Sequence, residues 1–169
     1  MRWQWHKKYL HKGNKMSDNT ETLKFRIGLS GTYFDKKPTY SVGINTTPMV
    51  NSTVEVLSDE IFYVEFESIL EENTENELFV RLENKSTNDT ITNDGVIVKD
   101  LLLNIHSIEI DEIDLSTLIW TNSVYQLDRP QKFNNQVVTE LKNCVNLGWN
   151  GTYKLPFTTP FYIWLLENI

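Results

Sequence analysis

Apolar side chains recur at every second position in short blocks along most of this chain, and that periodicity is what most limits its fold. Leu23, Phe25, Ile27 and Leu29 alternate with Lys24, Arg26, Gly28 and Ser30. The pattern returns at Tyr40-Val42-Ile44, Val54-Val56, Phe62-Val64-Phe66, Leu78-Val80-Leu82 and Leu101-Leu103-Ile105. Successive strand residues point to opposite faces, so a period of two marks half-buried strands. Composition agrees, because none of the 169 residues is alanine, the best helix former, while Asn, Thr, Ile and Val abound. The expected fold is an all-β antiparallel sandwich with at most one short helix, of a size that buries a real core.

Turn residues punctuate the blocks. Gly31 ends the first strand, Asp35-Lys36-Lys37-Pro38 reads as a turn, and Pro48-Met49 and Ser58-Asp59 read as breaks. The acidic run from Glu71 to Glu77 reads as a solvated loop. Apolar parity switches from odd (Leu101, Leu103, Ile105) to even (Ile108, Ile110), which a β-bulge near His106-Ser107 would reconcile. That gives His106 a plain role at a bulge or sheet edge, with no partner for acid-base work visible nearby in sequence. Phe133 to Asn146 reads as one short helix or an irregular excursion, since Val137, Val138, Leu141 and Val145 sit at near-helical spacings. Asn150-Gly151 favours a tight turn, and the chain finishes in a continuous aromatic-aliphatic segment that reads as a strand, buried in its own sheet or against a partner.

Charge and motifs exclude several classes. The first 16 residues carry five Lys/Arg and no acid, and without them 11 Lys/Arg stand against 23 Asp/Glu. A body that acidic has no general field for nucleic-acid phosphates. No apolar run approaches the roughly 20 residues of a transmembrane helix. The lone Cys144 and three histidines exclude an internal disulfide and a Cys/His zinc cluster. There is no Gly-x-Ser-x-Gly and no phosphate-cradling glycine loop, and a carboxylate pair has no specificity among so many acids. The basic, tryptophan-bearing leader lacks the apolar core of a secretory signal and reads as a flexible arm, or as one that docks on a neighbour.

Recognition is the chemistry that the Asn/Asp/Thr stretch from Asn84 to Gly95 suggests. Asp89, Asp94 and Asp100, with Asn88 and Asn93, offer the hard oxygen ligands that calcium prefers, at a spacing that is not an EF-hand. The same residues serve any β-turn, because Asn and Asp tolerate left-handed backbone. Tyr33, Phe34, Tyr40, Trp120, Tyr125 and Trp149 are aromatics near turns, available for stacking on sugar faces unless they pack in the core. Candidate glycan-binding residues are Asn88, Asp89, Asn93, Asp94, Trp120 and Trp149. Candidate metal ligands are Asp89, Asp94 and Asp100.

Two resemblances add to this. The order of Leu23–Gly31, Tyr40-Ser41-Val42-Gly43-Ile44, Phe62-Tyr63-Val64-Glu65-Phe66, Leu78-Phe79-Val80-Arg81-Leu82 and Lys99-Asp100-Leu101-Leu102-Leu103-Asn104-Ile105 resembles the small calcium-dependent xylan-binding carbohydrate-binding modules. This implies a jelly-roll-like sandwich over residues 22–115 with calcium in its terminal loops, although Glu83-Asn84-Lys85 puts a lysine where such modules have a carboxylate. The wider pattern, with Asn-Lys-x-Thr-Asn-Asp-Thr at 84–90, Asn150-Gly151-Thr152-Tyr153 and the closing Pro160-to-Glu167 segment, resembles small structural proteins of T4-like and cyanobacterial tailed bacteriophages. Together they imply three parts: a leader at 1–21, a sandwich at 22–115, and an extension at 116–169 that completes the sheet or docks on neighbours. The leading expectation is a non-enzymatic virion protein of the capsid or tail, homo-oligomeric and in contact with other virion proteins through Trp3, Trp5, Phe161, Tyr162 and Trp164. The alternative is a glycan-binding module for host-surface carbohydrate, with calcium as an optional cofactor. A hydrolase stands third, and neither nucleic acid nor membrane is an expected partner.

Overall fold

The computed structural model describes residues 19–169. In chain order its elements are β1 (Thr20–Thr32), β2 (Thr39–Ile44), β3 (Thr47–Thr53), β4 (Phe62–Glu71), β5 (Glu75–Leu82), β6 (Ile91–Asn93), β7 (Val96–Lys99), β8 (Leu102–Ile110) and β9 (Ile113–Asp114). They continue with α1 (Leu118–Thr121), β10 (Val124–Phe133), β11 (Gln136–Lys142), β12 (Asn146–Leu147), β13 (Gly151–Thr158) and α2 (Phe161–Asn168). One sheet runs β12-β8-β1-β4 with β9 on β8; the other runs β11-β10-β13-β5-β2-β3, and β6-β7 form a separate ribbon. All pairings are antiparallel, which makes the fold the expected all-β sandwich.

Alternation does what the sequence implies. In β1, Leu23, Phe25, Ile27 and Leu29 are buried, while Arg26 faces out between its cross-strand neighbours Glu65 and Glu109, at 2.9 and 2.8 Å. The sheets meet through aromatic contacts, Phe25 on Phe157 at 6.0 Å between centroids and Tyr40 on Phe62 at 5.6 Å. The parity switch in β8 is a bulge: Gly28 faces Ser107 and Leu29 faces Ile105, leaving His106 as the extra residue. Its Nε2 lies 2.8 Å from the Ser30 hydroxyl, a partner 76 residues away. Ser30 is buried and also accepts a hydrogen bond from Asn104, so the contact ties the bulge down.

Five segments depart from expectation. Val54 and Val56, expected on a strand, lie just beyond the end of β3 at Thr53, where Val54 is buried without strand pairing. Pro48-Met49 lies inside β3, an outermost strand, where a proline without an N–H is tolerated beside the register shift at Val42/Gly43. The acidic run is mostly strand and turn: β4 ends at Glu71, β5 begins at Glu75, and Asn76 is buried. Phe133 to Asn146 is no helix. Up to Lys142 it belongs to the β10-β11 hairpin, turned at Asn134 and Asn135, which both adopt positive φ (47° and 67°) as an antiparallel two-residue turn requires, and at Asn146 it enters β12 of the other sheet.

The closing segment is a helix rather than a strand. Phe161, Trp164 and Leu165 fall at i, i+3 and i+4 and are buried, whereas Tyr162, Ile163, Leu166 and Ile169 are exposed. Two of the expected assembly residues, Phe161 and Trp164, are therefore spent on the chain's own core, where both rings meet Phe157. Tyr162 alone of that C-terminal trio faces outward, and Trp3 and Trp5 lie outside the described residues.

Candidate functional site

Three segments converge at one end of β13. They are the loop after β5 (residues 83–90), a bulged stretch of β10, and the turn at 148–150 that leads into β13. Sheet order explains the meeting, because β10, β13 and β5 are consecutive neighbours. Gly151 pairs with both Leu82 and Leu127, and a Cβ there would stand 2.5 Å from the Gln126 carbonyl. Gly151 thus serves close strand approach and not the tight turn expected of Asn150-Gly151.

Asn150 is the clamp. Its Oδ1 accepts the Lys85 N–H at 2.7 Å and its Nδ2 donates to the Lys85 carbonyl at 2.9 Å, while its own carbonyl accepts the Asp128 N–H at 3.0 Å. Asn84 repeats the device toward the β1-β2 turn, accepting from Thr39 N–H and donating to the Lys37 carbonyl, both at 2.9 Å. The loop is therefore fixed on two sides by carboxamides that imitate a backbone ladder.

Between Gln126 and Gln131 the β10-β11 register slips, so that Leu127 to Pro130 stand opposite Thr139 alone. The bulge sends Asp128 and Arg129 toward the cleft. Arg81 holds Asp128 with two parallel bonds of 2.8 and 2.6 Å and also donates to Thr152 at 2.8 Å.

Lys85, Ser86, Thr87, Thr90, Asp128, Arg129, Gln131, Trp149 and Asn150 enclose about 710 Å³. Trp149 is half-buried, packed edge-on against Phe133 at 5.3 Å. Its backbone is held by the phenol of Tyr125, which donates to the Trp149 carbonyl and accepts the Trp149 N–H at 3.0 Å. Burial pushes the Tyr125 phenol well above its usual value, so it stays protonated as that donor. An indole among hydroxyls, carboxamides and charged groups suits a polyhydroxylated ligand, whose ring offers apolar C–H faces and an equatorial hydrogen-bonding edge. Acid-base chemistry is poorly served, because the single lining carboxylate, Asp128, is tied to Arg81.

The expected ligand residues are scattered by comparison. Of the six glycan candidates Trp149 lines the cleft. Trp120 is exposed on α1, next to Thr121 and Asn122, which border a second cavity of about 670 Å³ at the far end of β13. Asn88 is exposed on the 83–90 loop but does not line the cleft, and Asn93 and Asp94 form the tip of the β6-β7 ribbon, where Asp94 (φ 50°) and Gly95 (φ 80°) make its turn. Lys85, Asp128, Arg129, Gln131 and Asn150 were not among the candidates; the Asn-Gly at 150–151 was the signal nearest to them.

The aspartates do not fit calcium. Asp89 takes a 2.5 Å ion pair from Lys36 and hydrogen bonds from the Ser86 N–H and hydroxyl at 2.7 and 2.8 Å. Asp100 takes Lys85 at 2.5 Å, Thr90 at 2.7 Å and the Leu101 N–H at 2.9 Å. Asp94 sits apart on the ribbon, and among the described residues no group of three or more His, Cys, Asp or Glu could hold a metal. Asp89 and Asp100 are thus each paired with an ammonium group, Lys36 and Lys85 respectively, at the place where a cation would need to be.

Burial alone would raise the Asp89 carboxyl, but the hydrogen bonds from Lys36 and Ser86, with the charge of Lys36, outweigh it and hold the group below the ordinary carboxylate value. A depressed folded value means stability that is complete above the ordinary carboxylate range near about 4 and is lost as pH falls through the lower folded value. Asp89→Asn is accordingly expected to lower the urea midpoint at pH 7 and to lose less on acidification to pH 3 than the wild type. Parallel acid titrations of the two proteins would contradict the assignment.

No family model matches the chain, and no curated protein matches it. Among solved structures, vCBM60 in complex with galactobiose is 14% identical, with a TM-score of 0.49, over 78% of this chain and 96% of that one. The selenomethionine form of vCBM60, described with two families of calcium-dependent carbohydrate binding modules, gives the same identity and TM-score over 79% of this chain and 89% of that one. None of these matches is a phage structural protein.

Proposed function

We propose that this protein is a non-catalytic glycan-binding module whose saccharide seat is the cleft between the 83–90 loop, the β10 bulge and Trp149. The observation that supports this best is the half-buried Trp149, set in a 710 Å³ cleft whose other walls are polar, with Asn150 and Asp128 already held in place by hydrogen bonds. Pre-organised polar groups around one aromatic surface bind a sugar without ordering loops at the moment of contact, which keeps the entropic cost low.

The test is affinity electrophoresis through gels containing soluble neutral and acidic polysaccharides, followed by calorimetric titration of the oligosaccharide from any polymer that retards the protein. Retardation by at least one polymer, competed by its oligosaccharide, supports the reading; migration indifferent to every polymer refutes it. Because Lys36 and Lys85 hold Asp89 and Asp100, binding is expected to be the same in calcium and in excess chelator. A loss of retardation on chelation would show that these pairs open to admit a metal.

A second reading, docking within a larger assembly such as a virion, is favoured by one observation, the exposed row Tyr162, Ile163 and Leu166 on α2 with Ile169 at its C-cap. It predicts concentration-dependent association in sedimentation velocity that Leu166→Glu reduces.

A further inference from the structure

Charges around the cleft do not cancel. Lys85 is neutralised by Asp100 at 2.5 Å, and Asp128 by Arg81 at 2.6 Å. Arg129 remains: it lines the same cleft and enters no ion pair among the described residues. It is exposed, and it stands on the bulge where β10 leaves its partner β11. A single uncompensated guanidinium within the wall of a polar cleft contrasts with a body in which 11 Lys/Arg face 23 Asp/Glu.

From this placement we propose that the cleft selects an acidic saccharide, a sugar residue bearing a carboxylate, with Arg129 as the residue that receives the carboxylate. The inference rests on the cleft being the saccharide seat. A guanidinium presents two parallel N–H donors that match the two oxygens of a carboxylate, which a lysine ammonium does not. The neighbours suit the rest of such a ligand: Trp149 offers a ring surface, and Gln131 and Thr87 offer groups for hydroxyls. A nucleic acid is disfavoured, since one cation in an acidic body supplies little of the phosphate neutralisation that such binding needs. The acidity of the body also opposes a polyanion at long range, so the preference is one of contact and belongs to short ligands at ordinary ionic strength, where the screening length is about 8 Å.

The experiment compares short oligogalacturonates with their methyl esters, which keep the sugar and remove the charge, by calorimetric titration at physiological salt. Sulfated oligosaccharides and neutral xylo-oligosaccharides form the other arms. The acid is expected to bind roughly tenfold or more tightly than its ester, the scale of one hydrogen bond to a charged group. In Arg129→Met that ratio is expected to collapse toward one, and in Arg129→Lys to recover in part. Acid and ester binding equally to the wild type would overturn the proposal, as would a ratio that survives in Arg129→Met. A sulfated ligand preferred over the carboxylate would overturn the carboxylate assignment. Binding of neutral oligosaccharides alone would refute the inference while leaving the cleft as the sugar site; absence of binding by every arm would remove both.

Discussion

Trp149→Ala is expected to weaken saccharide binding by about 2 kcal/mol, roughly 30-fold in Kd, the usual consequence of removing a central aromatic anchor. The ring is the largest apolar surface that the cleft lining offers, and two of the polar groups around it, Asn150 and Asp128, are already engaged in holding the walls. Trp149→Phe, which keeps a smaller face, is expected to fall between. The indole also packs on Phe133, so each variant needs an unfolding curve beside its titration. Tyr125→Phe provides an independent check, because it leaves the ligand-facing groups untouched yet unpins the Trp149 carbonyl and N–H; it is expected to weaken binding as well. An unchanged Kd in a folded Trp149→Ala protein would show that sugar binds elsewhere, or that none binds.

Phe157→Ala is expected to cost about 3–5 kcal/mol of stability, a large part of the roughly 5–15 kcal/mol that separates folded from unfolded domains. Phe157 is 1% exposed and meets Phe25 of the opposite sheet, and Phe161 and Trp164 of α2, at centroid distances of 6.0, 6.4 and 6.2 Å. One ring thereby joins both sheets to the C-terminal helix, and its removal leaves a cavity that three separate elements border. Phe157→Leu, filling most of that volume, is expected to lose clearly less. Leu166→Ser, on the exposed face of the same helix, is expected to stay within about 0.5 kcal/mol. Denaturant midpoints compare all three; a Phe157→Ala protein as stable as Leu166→Ser would contradict the packing described.

The strands that alternate cleanly were legible in advance. The odd-to-even switch at His106 even located the bulge in β8, because a single inserted residue must flip every later side chain to the other face. Where the pattern misleads, outward-facing apolar residues mask it. In α2 the buried set Phe161, Trp164 and Leu165 is helical, but exposed Tyr162, Ile163, Leu166 and Ile169 fill the gaps and give the continuous run of a strand. In the β10-β11 hairpin the slip around Pro130 broke the alternation, and Asn134-Asn135, the one local signal of a two-residue turn, sat inside valines at deceptive spacing.

The site divides in the same way. Trp149 was identifiable as an aromatic beside a turn, and the Asn/Asp stretch as loop and turn material. Carboxylates that looked free to bind a cation are not free, since Lys36 and Lys85 reach Asp89 and Asp100 across 53 and 15 residues of chain.

What the sequence determined by itself is the all-β class, the position of most core strands and the lack of any metal-thiol, nucleophile or phosphate-loop motif, because these depend on local periodicity and on residue types that are present or absent. The cleft was decided by tertiary structure alone. Strand order brings β10, β13 and β5 together, Asn150 clips Lys85 to the bulge, and two ion pairs cancel their own charges, leaving Arg129 in the same cleft as Trp149. Such an arrangement follows from register between strands far apart in the chain, and short-range periodicity carries no information about register of that kind.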